Sequence, residues 1–88
     1  MQYFCKVDNR NIVHEVIVVT DEAVNNKPFP DSEPIGQAML AESGFTGTWL
    51  QCSYNASFRG CYPGSGYTYD PALDVFVPPA APEPPVEP

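Results

Sequence analysis

At 88 residues the chain has room for one domain, and a domain this small buries only about 60% of the surface its unfolded form exposes, leaving little surplus stability. The net charge is −7, with 11 acidic residues against 4 basic ones. Lys6, Arg10, Lys27 and Arg59 are scattered along the chain, which excludes the clustered cations that release counterions from a phosphate backbone and so argues against nucleic acid as a partner.

No apolar run approaches the roughly 20 residues that span a bilayer. The start MQYFCKVDNR lacks a secretory signal's basic opening and apolar stretch, so an unprocessed chain with no membrane partner is expected. An acidic surface suits a basic protein partner, although the same charge serves solubility. Cys5, Cys52 and Cys61 are odd in number, which argues against a secreted disulfide framework and for reduced thiols packed as small hydrophobes.

In chain order, residues 2–7 alternate, with Tyr3, Cys5 and Val7 on one side and Phe4 and Lys6 on the other, the period of a half-buried strand. Residues 8–11 (DNRN) are turn formers. Residues 12–19 (IVHEVIVV) are rich in β-branched side chains suited to a pleated surface, so the first 19 residues predict a β-hairpin.

Residues 20–31 mix a helical turn near Asp21 with Pro28 and Pro30 and read as a surface connection. Ser32 is placed to cap a helix, with Glu33 and Pro34 in its first turn. Ile35, Ala38, Met39 and Glu42 fall on one stripe, with Leu40 and Ala41 beside it, and Gly44 stands where a left-handed terminator belongs.

Residues 48–54 (TWLQCSY) alternate again, placing Trp49 and Gln51 opposite Leu50 and Cys52. Residues 55–66 form a Gly- and Ser-rich connection with a turn at Pro63-Gly64. Residues 67–70 and 75–77 then bracket a turn at 71–74. The order is β-β-α-β-β-β, an α+β domain over residues 1–77 with a small antiparallel sheet and one covering helix. Residues 78–88 (PPAAPEPPVEP) are expected to form an extended proline-rich arm, about 3.1 Å per residue in polyproline conformation and roughly 30 Å in reach.

Catalysis needs a nucleophile or acid-base pair, an orienting partner and a pocket. The single histidine, His14, lies mid-strand. A pair with Cys5 across the hairpin is the one catalytic constellation the topology allows, and an ordinary strand histidine is the preferred reading. Cys5, His14, Cys52 and Cys61 show no CxxC or HxxxH knuckle, so no metal or cofactor is expected. The triplet Asn55-Ala56-Ser57 matches a glycosylation site by letters alone and reads as a loop.

The spacings Pro79 to Pro82, Pro82 to Pro85 and Pro85 to Pro88 fit aromatic grooves. No Arg or Lys flanks them, which favours an arm lying along another protein over a signalling motif. Trp49, Tyr54, Phe58, Tyr62, Tyr67, Tyr69 and Phe76 crowd the C-terminal half of the domain. A small sheet with one covered face leaves some of these rings half available, as in interface centres. Tyr62 and Tyr67 are the candidates, open to either core packing or partner contact, together with Pro78, Pro79, Pro82, Pro84 and Pro85 of the arm.

The blocks at 48–55 (TWLQCSYN), 57–60 (SFRG), 64–70 (GSGYTYD) and 74–79 (DVFVPP), with the strand ending in Val16-Ile17-Val18-Val19, resemble a family of short virion structural proteins of tailed bacteriophages, marine cyanophages especially. The likeness runs over residues 2–79 and brings no catalytic residue with it. Relatives continue past Pro-Pro with a tryptophan-containing segment, where this chain has its proline arm. The resemblance implies a non-enzymatic protein made in the host cytoplasm and located in the virion. The leading expectation is a capsid decoration or cement protein binding the major capsid protein, monomeric or oligomeric. The alternatives are a tail or fibre-attachment accessory protein and a non-virion phage protein that binds a host factor.

Overall fold

The structure, a computed structural model, describes residues 1–79. Five strands and one helix follow in the order β1 (Gln2–Val7), β2 (Val13–Val19), α1 (Ser32–Glu42), β3 (Thr48–Cys52), β4 (Thr68–Asp70) and β5 (Val75–Val77), with a 3-10 turn at Asp21–Val24 between β2 and α1. This is the expected α+β order. The strands divide into two antiparallel sheets, β2-β1-β3 and the hairpin β4-β5. An isolated bridge, Ile12 to Thr68, and the bonds Val13 N to Tyr67 O and Tyr69 N to Asn11 O tie the start of β2 to β4.

The β1-β2 hairpin turns where the sequence places Asp8 and the asparagines. Asp8 Oδ1 accepts the amides of Arg10 at 2.8 Å and Ile12 at 3.1 Å, and Asn11 takes a left-handed conformation with φ 62°, which Asn tolerates. Pairing passes from Lys6–Glu15 to Val7–Val13, which leaves His14 as the extra residue of a bulge. Its Nε2 lies 2.7 Å from Asp8 Oδ2. That contact, followed by the two backbone amides, holds the Asp8 carboxyl down to about 2.

Both faces of the three-stranded sheet are covered, contrary to the one covered face the sequence suggests. Phe4, Trp49, Ile17 and Val19 meet Leu40, Ile35 and Met39 of α1 and Val24 of the 3-10 turn. Cys5, Val7, Val13 and Cys52 meet Phe76 of β5, with Tyr67, Tyr69, Cys61 and Tyr62 packed around them. The reason lies in the strands, which carry apolar side chains at both phases of the two-residue period. The C-terminal hairpin is therefore a second layer.

The helix sits close because Gly36 faces Phe4; a Cβ there would enter the van der Waals envelope of the ring. Its buried positions are Ser32, Gly36 and Leu40, so the expected stripe is rotated and Ala38 is exposed. Ser32 is not the cap. Asp31 holds that position without a side-chain bond, while the Ser32 hydroxyl donates to Gln51 Oε1 at 2.5 Å inside the fold. The C-terminus ends as expected. Gly44, at φ 90°, donates to Ala41 O at 3.2 Å and Phe45 to Leu40 O at 2.9 Å, the paired bonds of a Schellman cap.

Candidate protein-binding surface

On the face away from α1, the register sets Tyr3 opposite Val18 on one side and Cys52 on the other. Two residues past Cys52, Tyr54 turns back over this position, and Tyr62 arrives from the connection that follows. The three rings form a closed triangle. Tyr3 and Tyr54 stack with centroids 5.6 Å apart, Tyr3 and Tyr62 meet edge to face at 5.6 Å, and Tyr54 and Tyr62 lie 5.2 Å apart.

Tyr54 is 65% exposed and Val18 49% exposed, whereas Tyr3 and Tyr62 are half-buried. Burial, and then the neighbouring Cys52 thiol and tyrosines, push the Tyr62 hydroxyl up. The trio thus presents aromatic surface while Tyr3 and Tyr62 pack against the Cys5–Phe76 cluster and hold Tyr54 through their rings. Aromatic rings held rigid in this way offer contact area at low ordering cost.

Tyr67 has a different role. Its carbonyl accepts the Val13 amide at 2.7 Å and its amide donates to Gly64 O at 3.1 Å, so it joins the connection to the start of β2 with its ring against the core. Of the two tyrosines singled out from sequence, the structure brings Tyr62 into the exposed trio and keeps Tyr67 apart. Pro78 and Pro79 are exposed. Pro82, Pro84 and Pro85, with most of the predicted arm, lie outside the described residues.

Arg59 holds the two layers together. Its guanidinium side chain is only 8% exposed. Nη1 and Nη2 donate to the two Glu33 carboxylate oxygens, Nη1 also to Gln51 O at 2.9 Å, and Nε to Asp74 Oδ1 at 2.8 Å. The Phe29 and Tyr69 rings flank it at 5.0 and 5.3 Å, and Phe58 stacks on Phe29. Burial works against the charge, but the bonds to Glu33 and Asp74 more than offset it and hold the guanidinium above its ordinary value. Asp74 is drawn down in turn, first by the Tyr69 hydroxyl at 2.6 Å and then by Arg59.

The same contacts close the outer edge of β3. The Gln51 amide donates to Glu33 Oε2 at 2.8 Å while its carbonyl accepts from Arg59. An edge strand with its backbone groups taken is a poor template for another strand. Beneath it the Gln51 side chain, fully buried, accepts from Ser32 and donates to Gln2 Oε1 at 2.7 Å.

The thiols occupy the core as the sequence suggests. All three are free, with Cys5 and Cys52 buried. The Cys52 thiol is pushed well up by its hydrogen bond with Cys5 and by burial. Cys61 Sγ donates to Phe76 O at 3.2 Å. The Cys5–His14 pair does not form, because His14 sits exposed on the bulge against Asp8 while Cys5 faces the core opposite Val16. Among the described residues no group of three or more His, Cys, Asp or Glu side chains is placed to hold a metal ion. An open hollow of about 290 Å³ is lined by Gln2, Asp21, Asn26, Lys27 and Pro28.

A small α+β domain that carries a partly exposed tyrosine cluster is thus the class of molecule the described residues define. No protein-family model, curated protein or solved structure matches the chain.

Proposed function

We propose that this chain is an adhesion module of a bacteriophage virion, most specifically a capsid decoration protein that binds the major capsid protein. The observation that carries the adhesive reading is the Tyr3-Tyr54-Tyr62 cluster, anchored at its base and open at Tyr54 and Val18. Partner surfaces bind such rings well, because a tyrosine buries a large area at the cost of few rotatable bonds. The sequence likeness to phage virion proteins supplies the biological setting.

The proline-rich stretch from Pro78 onward adds a second contact in this reading. A segment tethered to a docked domain meets its target at high effective concentration, so two weak contacts become one durable attachment. Polyproline also loses little conformational freedom on docking.

Quantitative mass spectrometry of gradient-purified particles tests the proposal. Hundreds of copies per virion support a place on the head. A dozen or fewer would move the protein to the tail or fibre-attachment region, and absence from particles would overturn the virion reading in favour of a host-factor ligand. Removing residues 78–88 is expected to lower occupancy on the particle.

A further inference from the structure

The strand order β2-β1-β3 leaves the sheet two outer edges, of which only β3's is closed, by the bonds of the Gln51 amide and carbonyl to Glu33 and Arg59. Those bonds also fix which way the backbone groups of the whole sheet point. Gln51 faces away from β1, so its partner Phe4 turns its own amide and carbonyl to β2, because a non-hydrogen-bonded antiparallel pair directs its groups away from each other. Phe4 with Ile17 is therefore a hydrogen-bonded pair, as are Gln2 with Val19 and Lys6 with Glu15. By the same alternation Val16 and Val18 direct their N–H and C=O groups outward. Val13, before the bulge, agrees: its amide donates to Tyr67 O at 2.7 Å and its carbonyl accepts from Gly66 at 2.8 Å.

Nothing comparable closes the edge at Val16 and Val18. Among the described residues no protein group bonds to their outward amides or carbonyls, and Val18 is 49% exposed. Residues 15–19 (EVIVV) hold none of the Lys or Pro that commonly blunt an exposed edge. The open stretch has defined ends. The His14 bulge and the Val13 bonds to Gly66 and Tyr67 close it on one side. On the other, the chain leaves at Thr20 into the 3-10 turn, whose Val24 is buried on the helix face. The edge therefore admits a short strand that bends off toward the helix face where it meets the bulge.

β2 is itself such a strand. We infer that the occupant is a second copy of this chain, its β2 laid antiparallel against the first across a two-fold axis at Ile17. In that register Val16 of each copy stands opposite Val18 of the other, and each such pair exchanges both of its N–H···O=C bonds. Glu15 falls opposite Val19, so no like charges face each other. Centring on Val16 would set Val18 against the His14 bulge, and centring on Val18 would set Val16 against Thr20, where the strand ends. The two-fold stands perpendicular to the joined sheet, so both copies keep the same face forward. Tyr3 and Val18 share that face as cross-strand partners, and the dimer carries two tyrosine trios on one side and both helices on the other. The net charge of −7 on each copy opposes association, so added salt tightens it. The inference concerns the chain alone and stands or falls independently of whether that chain is found on a particle.

Sedimentation equilibrium together with amide hydrogen exchange on the full chain tests it, between about 10 µM and about 1 mM, the weak range that a short edge pair implies. As concentration rises the mass is expected to double, and the Val16 and Val18 amides to slow by about tenfold or more. The Ile17 amide, bonded to β1, is expected to be protected throughout. Val18→Pro removes an outward donor without touching a bond to β1, and Val18→Lys sets a charge on the edge at an exposed position. Both are expected to stay monomeric with the Ile17 amide still protected and the Trp49 indole resonance, held by its bond to Thr46 O, in place. Should Val18→Pro fail to fold, Val18→Lys gives the reading. The inference is overturned if the mass stays that of one chain, if it doubles while the Val16 and Val18 amides exchange as before, if those amides are protected in the monomer at every dilution, or if folded Val18→Lys dimerises as well as the parent.

Discussion

The two faces of the three-stranded sheet are built from the same alternating strands but finished differently. On the helix side Phe4, Trp49, Leu40 and Val24 are buried between the sheet, α1 and the 3-10 turn, and the buried Gln51 side chain has its oxygen and nitrogen both bonded. On the other side the β4-β5 hairpin covers only the Val7–Phe76 end, and the Tyr3 end is finished by tyrosines that remain part open. A small domain can thus cover one face of its sheet more fully than the other. Arg59 sits at the boundary, joining the helix and β3 to the hairpin.

Substitutions that strike these two faces differently should separate what each contributes. Arg59→Ala is expected to be the most damaging, because it strands a mostly buried Glu33 and the Gln51 carbonyl; a loss of about 3 kcal/mol or more is expected for breaking such a pair. A urea unfolding midpoint checks it. A loss under ~1 kcal/mol, the range of an exposed pair, would show that the layers do not depend on this residue.

Gly36→Ala presses on the closed face alone. The added methyl meets the Phe4 ring, and overpacking of this kind costs about 1–3 kcal/mol, read by the same unfolding experiment. The tyrosine trio and its contacts are expected to persist in the folded fraction.

Tyr54→Ala should do the reverse. With its ring 65% exposed, its removal is expected to change stability by no more than ~0.5 kcal/mol, while binding to purified capsids weakens about tenfold, the ~1.4 kcal/mol of a modest aromatic contact. A variant that binds as well as the parent would leave the open face without an adhesive role.

The smallest effect concerns the turn that serves both faces. Asp8 has a folded-state value of about 2, below its ordinary 3.8. A depressed carboxyl stabilises the fold above its unfolded value, and that contribution is lost as pH falls from near 3.8 through about 2. Acid titration of Asp8→Asn is expected to lack this component. Identical acid profiles for parent and variant would remove Asp8 from the account.

The strands and the helix were legible because their signals are local. Alternation at Tyr3, Cys5 and Val7, the β-branched run before Val19 and Gly44 at the helix end each act within a few residues. The helix stripe was misplaced because Gly36 and Ser32 are buried for reasons outside the helix: a ring on β1 and an amide on β3. Tyr62 was legible as an aromatic in a loop, but its companions Tyr3 and Tyr54 were not, since the trio depends on the pairing of β1 with both β2 and β3. Arg59 read as one of four scattered cations, although its three partners at Glu33, Gln51 and Asp74 lie far away in sequence.

The sequence alone determined the α+β class, the order of the elements, the turn at Asp8 and the proline composition of the C-terminus, all fixed by short-range backbone preference and periodicity. Only the tertiary structure decided that the last two strands form a separate layer, that Arg59 is buried in a charged clamp, and that three tyrosines from distant segments share one exposed surface. Those outcomes depend on which nonlocal surfaces meet, and a two-residue period says which side a residue takes without saying what will cover it.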